Sequence, residues 1–293
     1  MPISRFLKIE SDHIRRCCAW LTALLCGSLL CTSISEVTAQ EGIPNFSPNA
    51  NTAWQSNSRY GLDAAPSGPQ PVGPDPAIFK DRPYNMDFDF PVLDVSNPNL
   101  QPPIAQRLRA QNERVLSGRP FQPITSSCWP HGLPAYMRYN GPTFIVQGPN
   151  EVVILKNQSS ELRRIALNTP HSAEPKPSWY GESVGHYENG DTLVIDTIGF
   201  NDRTYLDLWG TPHTTALHVI ERWTLSADGR EIDLHVRVED AGTFKAPYEL
   251  TKHYRRAEAN WTEAICAENP IGPLGARPQG LEPMPQDDTP VFR

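Results

Sequence analysis

The chain has 293 residues, with 26 basic and 33 acidic side chains and a net charge of −7. This acidic balance argues against nucleic-acid binding and against docking on an anionic membrane surface, since both need a basic surface. Sixteen of the thirty prolines fall within residues 41–134, whereas the seven in residues 135–260 all lie between apolar runs. Because proline interrupts strands, residues 135–260 are predicted to form one folded body with proline-rich segments on either side.

Residues 1–39 have the features of an export signal peptide. Two arginines precede an apolar run from Cys17 to about Leu30, and small residues lead up to Ala39, after which we expect cleavage. A membrane anchor is the alternative, but the run is short for an anchor, which needs about 20 residues. We therefore predict a periplasmic or secreted protein without a stable membrane anchor.

Four of the six cysteines lie in that signal, which leaves Cys128 and Cys266 in the exported chain. An even pair of cysteines in an oxidising compartment favours a disulfide. A metal pair or a free reactive thiol is the alternative, although neither cysteine has another cysteine close in sequence. The predicted disulfide closes a long loop and contributes on the order of 4–5 kcal/mol in the chain-entropy model.

Residues 40–99 are rich in Pro, Asn, Ser and Gly, which predicts an irregular segment. A helix is predicted at residues 101–117, where Pro102 and Pro103 suit the first turn and Gly118 suits the C-cap. We expect this helix to pack on the folded body. Residues 267–293, again rich in proline, are predicted to form a disordered tail.

Eight strand-like runs follow the helix. They are Thr143–Gln147, Glu151–Asn157, Leu162–Asn168, Ser183–Tyr187, Asp191–Ile198, Leu217–Leu225, Glu231–Val238 and Tyr248–Arg255. Eight antiparallel strands close a small up-and-down barrel that can hold one ligand. Residues 100–266 are therefore predicted to be all-β, an eight-stranded antiparallel lipocalin-like barrel, with a two-sheet β-sandwich as the alternative.

The hairpin with an Asp-Gly turn at 228–229 predicts one functional residue. Its register puts Glu221 and Trp223 on an otherwise apolar face, opposite Val236 and Leu234. Burying a carboxylate alone costs several kcal/mol. Glu221 is therefore our first candidate for a general acid or base with a raised pKa. A structural ion pair with an inward arginine, 163 or 164, is the alternative.

The hairpin at Asn189-Gly190 suits a two-residue type I′ turn. Its predicted pairs are Val184 with Ile195 and His186 with Leu193 on the core face, and Ser183 with Asp196 and Tyr187 with Thr192 on the other. Asp196 then lies on the more polar face. If the barrel encloses a wet cavity, the two faces exchange and Asp196 is a second carboxylate beside Glu221.

Two long loops, 169–182 and 199–216, are expected to leave from one end of the barrel. Their candidate ligand-binding or catalytic residues are His171, Trp179, Asn201, Asp202 and His213. Loops at one end of a barrel commonly form sites, so the two histidines are predicted to converge near Trp179. Hydrogen bonds that only fix the loops are the alternative.

Several motifs carry a family resemblance. They are Trp-x-Gly-x-Ser-x-Gly at 179–185, Gly-Asp-Thr-Leu-Val at 190–194, Phe-Asn-Asp at 200–202, Cys-x-Pro-x-Gly-x-Pro-x-x-Met at 128–137 and Cys-x-Glu-Asn at 266–269. Together they resemble a large, mostly uncharacterised family of exported bacterial proteins. The resemblance covers roughly residues 100–269 and implies a β-barrel, but it does not select an activity.

The sequence has no phosphate-binding loop, dinucleotide fingerprint or His-Glu-x-x-His spacing, so no cofactor and no metal are predicted. We interpret the chain as a protein that binds a small, partly apolar molecule in a pocket lined by Trp179 and Trp223. One alternative is a cofactor-free lyase, isomerase or hydrolase that uses Glu221 with His171 or His213. Another is an envelope protein that interacts with a partner.

Overall fold

A computed structural model of the chain describes residues 42–56, 58, 62–72, 92–117, 128–156, 161–207 and 209–262. The described residues belong to one compact unit that begins at Gly42. The predicted signal, the predicted tail and Cys266 lie outside the described residues, so export and the disulfide stay predictions. No helix in these ranges is long and apolar enough to cross a membrane.

Strands dominate the described part of the chain. The strands are β1 (Thr52–Gln55), β2 (Asp63–Ala64), β3 (Pro71–Val72), β4 (Val92–Leu93), β5 (Thr143–Gln147), β6 (Glu151–Lys156), β7 (Glu161–Leu167), β8 (Glu182–Glu188), β9 (Thr192–Ile198), β10 (His218–Leu225), β11 (Glu231–Glu239) and β12 (Tyr248–Glu258). In the described ranges, one α-helix, α1 (Pro102–Leu116), and a 3₁₀ helix (Ala135–Arg138) precede β5. The predicted helix and all eight predicted strand runs are therefore confirmed.

Nine strands form a closed barrel in the order β1-β5-β6-β7-β8-β9-β10-β11-β12, with β1 also pairing β12. The all-β barrel is confirmed, but the predicted count of eight strands is wrong. The additional strand, β1, lies in the segment that was predicted to be irregular. It contributes Trp54, which is fully buried and donates its indole N–H to the carbonyl of Phe46 at 3.0 Å.

The barrel is mixed, and the prediction of an up-and-down antiparallel barrel is wrong at one point. Strands β7 and β8 run parallel, with Ile165 paired to Ser183. A parallel pair needs a crossover, so residues 168–181 carry the chain back from one end of the barrel to the other. There Ser178 bridges to Phe200, so the two long loops meet. The prediction that both loops leave from one end is wrong for the 169–182 loop, because the parallel pair puts the end of β7 at the opposite end of the barrel. We call the end where the loops meet, at which β9 ends and β10 begins, the loop end.

The predicted register of the second hairpin is confirmed, and that of the first is wrong by one residue. Glu221 pairs with Val236 as expected. In the first hairpin Asn189 and Gly190 have the positive φ of a type I′ turn, but Glu188 pairs with Thr192, so Asp191 is an additional residue.

A slip of one residue exchanges the faces of a strand. Ser183 and Gly185 of β8 therefore lie on the buried side, while Val184 and His186 face outward, contrary to expectation. In β9 the buried Ile195 and the half-exposed Asp196 keep the predicted faces.

Helix α1 packs at the loop end. Its Ile104 and Leu108 are buried in the same apolar cluster as the barrel interior. The backbone N–H of Gln101 donates to the carbonyl of Thr243 at 2.9 Å, and the side-chain amide of Gln111 donates to the carbonyl of Trp209. The helix thus holds the 199–216 loop against the barrel.

Candidate functional site

Glu221 lies inside the barrel on β10 and is fully buried. Arg163 of β7 donates two hydrogen bonds to its carboxylate, from Nη2 to Oε1 at 2.7 Å and from Nη1 to Oε2 at 3.1 Å. The indole N–H of Trp223 also donates to Oε2, at 2.9 Å. Arg163 Nη2 further donates to the hydroxyls of Ser183 and Thr197, at 3.1 Å each. This is the ion-pair geometry of the alternative interpretation, and the catalytic role of Glu221 stays a prediction.

Two of the described lysines also lie inside the barrel, and neither was predicted as a site residue from the sequence. Lys156 of β6 donates to the hydroxyl of Thr143 at 2.6 Å and lies 5.4 Å from the centre of the Tyr254 ring. Lys252 of β12 donates to the carbonyl of Met137 at 2.8 Å. Burial lowers the pKa of Lys156 to about 7. Burial, together with the charge of Lys156, lowers the pKa of Lys252 to about 6.

His213 is buried within the 199–216 loop. Its Nδ1 lies 3.0 Å from the carbonyl of Thr214, which fixes the proton on Nδ1, and its Nε2 accepts from the hydroxyl of Thr204 at 2.7 Å. Burial lowers the pKa of this imidazole below its usual range. Both ring nitrogens are thus used to fix the loop.

The buried neutral state of His213 predicts a pH effect on stability. Because folding lowers the pKa of His213, the unfolded chain binds more protons than the folded chain just below pH 6.5. The free energy of unfolding therefore decreases as the pH is lowered through this range. His213→Gln lacks this titrating group. When the pH is lowered from 7.5 to 5.5, its free energy of unfolding is expected to decrease by roughly 1 kcal/mol less than that of wild type. Urea unfolding at both values measures the difference. An equal loss in the two proteins contradicts a neutral buried His213.

His171 lies on the outer face of the barrel. Its Nδ1 is 3.1 Å from Glu182 Oε1 and its Nε2 is 3.0 Å from Asp196 Oδ1, which His218 Nε2 also approaches to 3.0 Å. The structure thus brings His171 to Asp196, whereas His213 has a separate set of partners. Among the described residues, no group of three or more His, Cys, Asp or Glu side chains is arranged to hold a metal ion.

The two tryptophans predicted to line one pocket have different surroundings. Trp223 stacks on Tyr254 inside the barrel, with ring centres 5.5 Å apart. Trp179 packs edge-to-face on Trp129 at 5.2 Å in the loops, with the Arg203 guanidinium 5.9 Å above its ring.

The remaining two predicted loop residues have local surroundings. Asn201 donates its backbone N–H to the carbonyl of Ser178 at 2.8 Å and accepts from the Arg203 N–H at 3.1 Å. The side chain of Asp202 is exposed. Asn201 therefore joins the two long loops to one another.

A cavity of about 170 Å³ opens at the loop end. Two aromatic residues and three leucines form most of its apolar wall: Trp209, Tyr248, Leu62, Leu206 and Leu250. Charged side chains from separate segments complete the wall: Asp63 of β2, Arg138 of the 3₁₀ helix and Asp207 of the 199–216 loop. The cavity therefore combines an apolar wall with a few polar groups, as small-molecule sites do.

In two residues of this wall, the atoms Arg138 Nε and Asp207 Oδ2 are themselves shielded from solvent and have no hydrogen-bond partner among the described residues. The other carboxylate oxygen, Oδ1, accepts from the N–H groups of Trp209 at 2.9 Å and Thr211 at 3.1 Å. Burial raises the pKa of Asp207. Hydrogen bonds from Thr211 and Trp209 to the carboxylate partly offset this rise. Burial lowers the pKa of Arg138 to about 10.

Comparison of the chain with protein-family models, with curated proteins and with solved structures finds no match. The family resemblance of the motifs therefore stays a prediction, and the geometry of the site carries the functional argument.

Proposed function

We propose that this protein binds a small, partly apolar molecule in the cavity at the loop end of its barrel, in the manner of a lipocalin-like carrier. The observation that carries the proposal is the composition of the cavity wall, in which two aromatic residues and three leucines lie beside three charged side chains. An apolar wall with a few polar groups is typical of sites that bind small molecules.

The interior of the barrel supports this location for the ligand. Four large aromatic side chains are at most 1% exposed there and occupy the interior: Trp54, Trp223, Tyr136 and Tyr254. We therefore place the ligand at the loop end, where β12 presents Tyr248 and the 3₁₀ helix presents Arg138.

A carrier also suits the surroundings of Glu221 better than an enzyme does. General acid or base chemistry needs a carboxyl group that can exchange a proton with a substrate. The bidentate contact from Arg163 occupies both carboxylate oxygens of Glu221 inside the core. The enzyme and the envelope interaction protein remain alternatives that we do not favour, and export to the periplasm or beyond stays part of the proposal.

A cavity-filling variant tests the proposal. Fragments of one ring are titrated into the purified protein while thermal unfolding and amide chemical shifts are followed. At a ligand concentration ten times its Kd, stability rises by about 1.4 kcal/mol, which corresponds to a rise in Tm of roughly 3–5 °C. Leu206→Trp, which fills the cavity, is expected to abolish this rise.

The control is Val146→Trp, on the outer face of β5, where the side chain is 52% exposed. This variant is expected to bind as wild type does. If Leu206→Trp binds the fragments as well as Val146→Trp, the ligand does not occupy the cavity and the proposal fails.

A further inference from the structure

A second cavity, of about 470 Å³, opens at the end of the barrel opposite the loop end, and we call it the far mouth. Its polar wall comes from the start of β1 and the segment before it, from the turn between β10 and β11, and from the end of β12: Asn49, Thr52, Arg230, Arg256 and Glu258. Arg256 pairs with the buried Trp54, and Glu258 pairs with Thr52. Paired residues share a face of the sheet, so these side chains belong to the inner face, where the strands end.

The two arginines of the far mouth lie side by side. The backbone N–H of Arg256 donates to the carbonyl of Arg230 at 2.8 Å. This contact continues the antiparallel register of β11 and β12, which puts Arg230 directly opposite Arg256. The Cβ atoms of such a pair are only about 5 Å apart. Arg256 Nη1 lies 3.8 Å from the position that a Cβ on Gly229 would take, so its guanidinium extends towards the turn that carries Arg230. Both guanidinium groups can therefore contact one small ligand.

These two guanidinium groups have no ion pair with another described residue. The remaining arginines on the described barrel strands each contact a carboxylate: Arg163, Arg164, Arg222, Arg237 and Arg255. Asp228 lies near Arg230, but its Oδ1 accepts from the Ser226 hydroxyl and from the Arg230 backbone N–H. The chain has 33 acidic and 26 basic side chains, so an excess of basic residues does not explain the two unpaired arginines. Like charges side by side on a sheet repel each other, and an anion bound between them removes that repulsion.

The other polar groups and the size of the far mouth narrow the class of anion. The carboxamide oxygen of Asn49 accepts from the Thr52 hydroxyl at 3.1 Å and from the Asn51 N–H at 3.0 Å, which leaves its NH₂ group to donate. Glu258 can accept from a hydroxyl. A phosphate presents three terminal oxygens to the two guanidinium groups, whereas a carboxylate presents two. The volume is about three times the roughly 150 Å³ that accepts one benzene molecule, so there is room for a short polar body beside the phosphate.

We propose that the far mouth is a second binding site, which takes the phosphate group of a small hydroxylated molecule. Arg230 and Arg256 bind the phosphate, Asn49 donates a further hydrogen bond, and Glu258 accepts from a hydroxyl of the body. Glu258 also repels a second anionic group, so a molecule with one phosphate is preferred to a bisphosphate. The site is separate from the cavity at the loop end, so this proposal does not depend on the proposed function.

Three probes with similar bodies test the proposal: glycerol 3-phosphate, glycerate and glycerol. They are titrated at pH 7.5 and constant ionic strength while the amide chemical shifts of Gly229 and Ala257 are followed. Glycerol 3-phosphate is expected to bind at least about tenfold more tightly than glycerate, because phosphate has more charge and one more acceptor oxygen. Glycerol is expected not to bind. Equal binding of glycerate or glycerol overturns the proposal, as does an absence of shifts at the far mouth with glycerol 3-phosphate.

Variants of the wall give the sharper result. Arg256→Gln is expected to weaken the binding of glycerol 3-phosphate at least about tenfold, because it removes charge-assisted hydrogen bonds. Arg230→Gln is expected to give a loss of the same size. Glu258→Gln is expected to tighten the binding about twofold to threefold, since it removes a negative charge from the wall and keeps an acceptor. Unchanged affinity in both arginine variants overturns the proposal.

The matched control is Arg255→Gln, one residue away on the outer face of β12, where the side chain is 77% exposed. It removes the same charge from the protein as Arg256→Gln does, and it is expected to bind glycerol 3-phosphate as wild type does. Equal losses in Arg255→Gln and Arg256→Gln show a general effect of net charge and overturn the proposal. Circular dichroism verifies that each variant is folded before the titrations.

Discussion

Glu221→Gln is expected to lower the free energy of unfolding by about 3–5 kcal/mol, because it leaves the Arg163 guanidinium charged and unpaired inside the barrel. The pair is almost completely shielded from solvent, with side chains 1% and 0% exposed. Trp223 also loses a charged acceptor for its indole N–H. Urea unfolding followed by circular dichroism measures the change.

The control uses an ion pair beside the same strand, between Arg222 of β10 and Glu188 of β8, at 2.7 Å on the outer face. Glu188→Gln is expected to cost less than about 1 kcal/mol, because exposed pairs contribute little. The double variant Arg163→Met with Glu221→Leu is expected to lose less than Glu221→Gln alone, since it leaves no uncompensated charge. If Glu221→Gln lowers the free energy of unfolding no more than Glu188→Gln does, the charge of Arg163 is satisfied without Glu221 and the prediction is wrong.

The second large effect is a rise in stability with pH that Lys156 produces. Burial lowers the pKa of Lys156 to about 7, against an ordinary value of 10.5. Between these values the unfolded chain holds a proton that the folded chain has released, so stability rises as the pH increases. One pKa unit corresponds to about 1.4 kcal/mol, which makes the rise several kcal/mol. Raised pKa values of the buried Tyr136 and Tyr254 reverse the trend above about pH 10.

Lys156→Met removes this contribution and tests it. The variant is expected to be about 1–3 kcal/mol more stable than wild type at pH 7, because no buried amine has to lose its hydration. The advantage shrinks towards pH 9.5, where the wild-type amine is neutral. The exposed Lys176 gives the control, and Lys176→Met should follow the wild-type curve. Parallel curves for Lys156→Met and wild type contradict the lowered pKa.

The sequence predicts most of the barrel because its strands alternate and its turns are specific. The Asp-Gly turn at 228–229 correctly fixed eight residue pairs between β10 and β11. The Asn-Gly turn predicted a register that is wrong by one residue, because Asp191 lengthens the connection from two residues to three. Nothing in the sequence distinguishes a two-residue connection from a three-residue one. Strand β1 was missed because its four residues lie in a proline-rich segment and pair with the far end of the chain.

The candidate site was predicted less well than the barrel. The alternation that singled out Glu221 also applies to Lys156, which follows Val152 and Ile154 on the buried face of β6, and to Lys252 between Leu250 and Tyr254. These lysines could have been found from the sequence. The cavity could not, because its walls come from β2, the 3₁₀ helix, the 199–216 loop and β12, and only tertiary packing brings them together.

The pairing of β1 with β12 also governs how the protein folds. Thr52 pairs with Glu258, so the closing contact joins residues about 200 positions apart, and contacts so distant in sequence make folding slow. As the chain is made from its N-terminus, β1 has to wait for the last strand of the barrel. Until then the edges of β5 and β12 that β1 will cover remain unpaired, and such open edges are templates for aggregation. The shortest of the nine barrel strands thus sets the length of time during which the nascent protein needs protection.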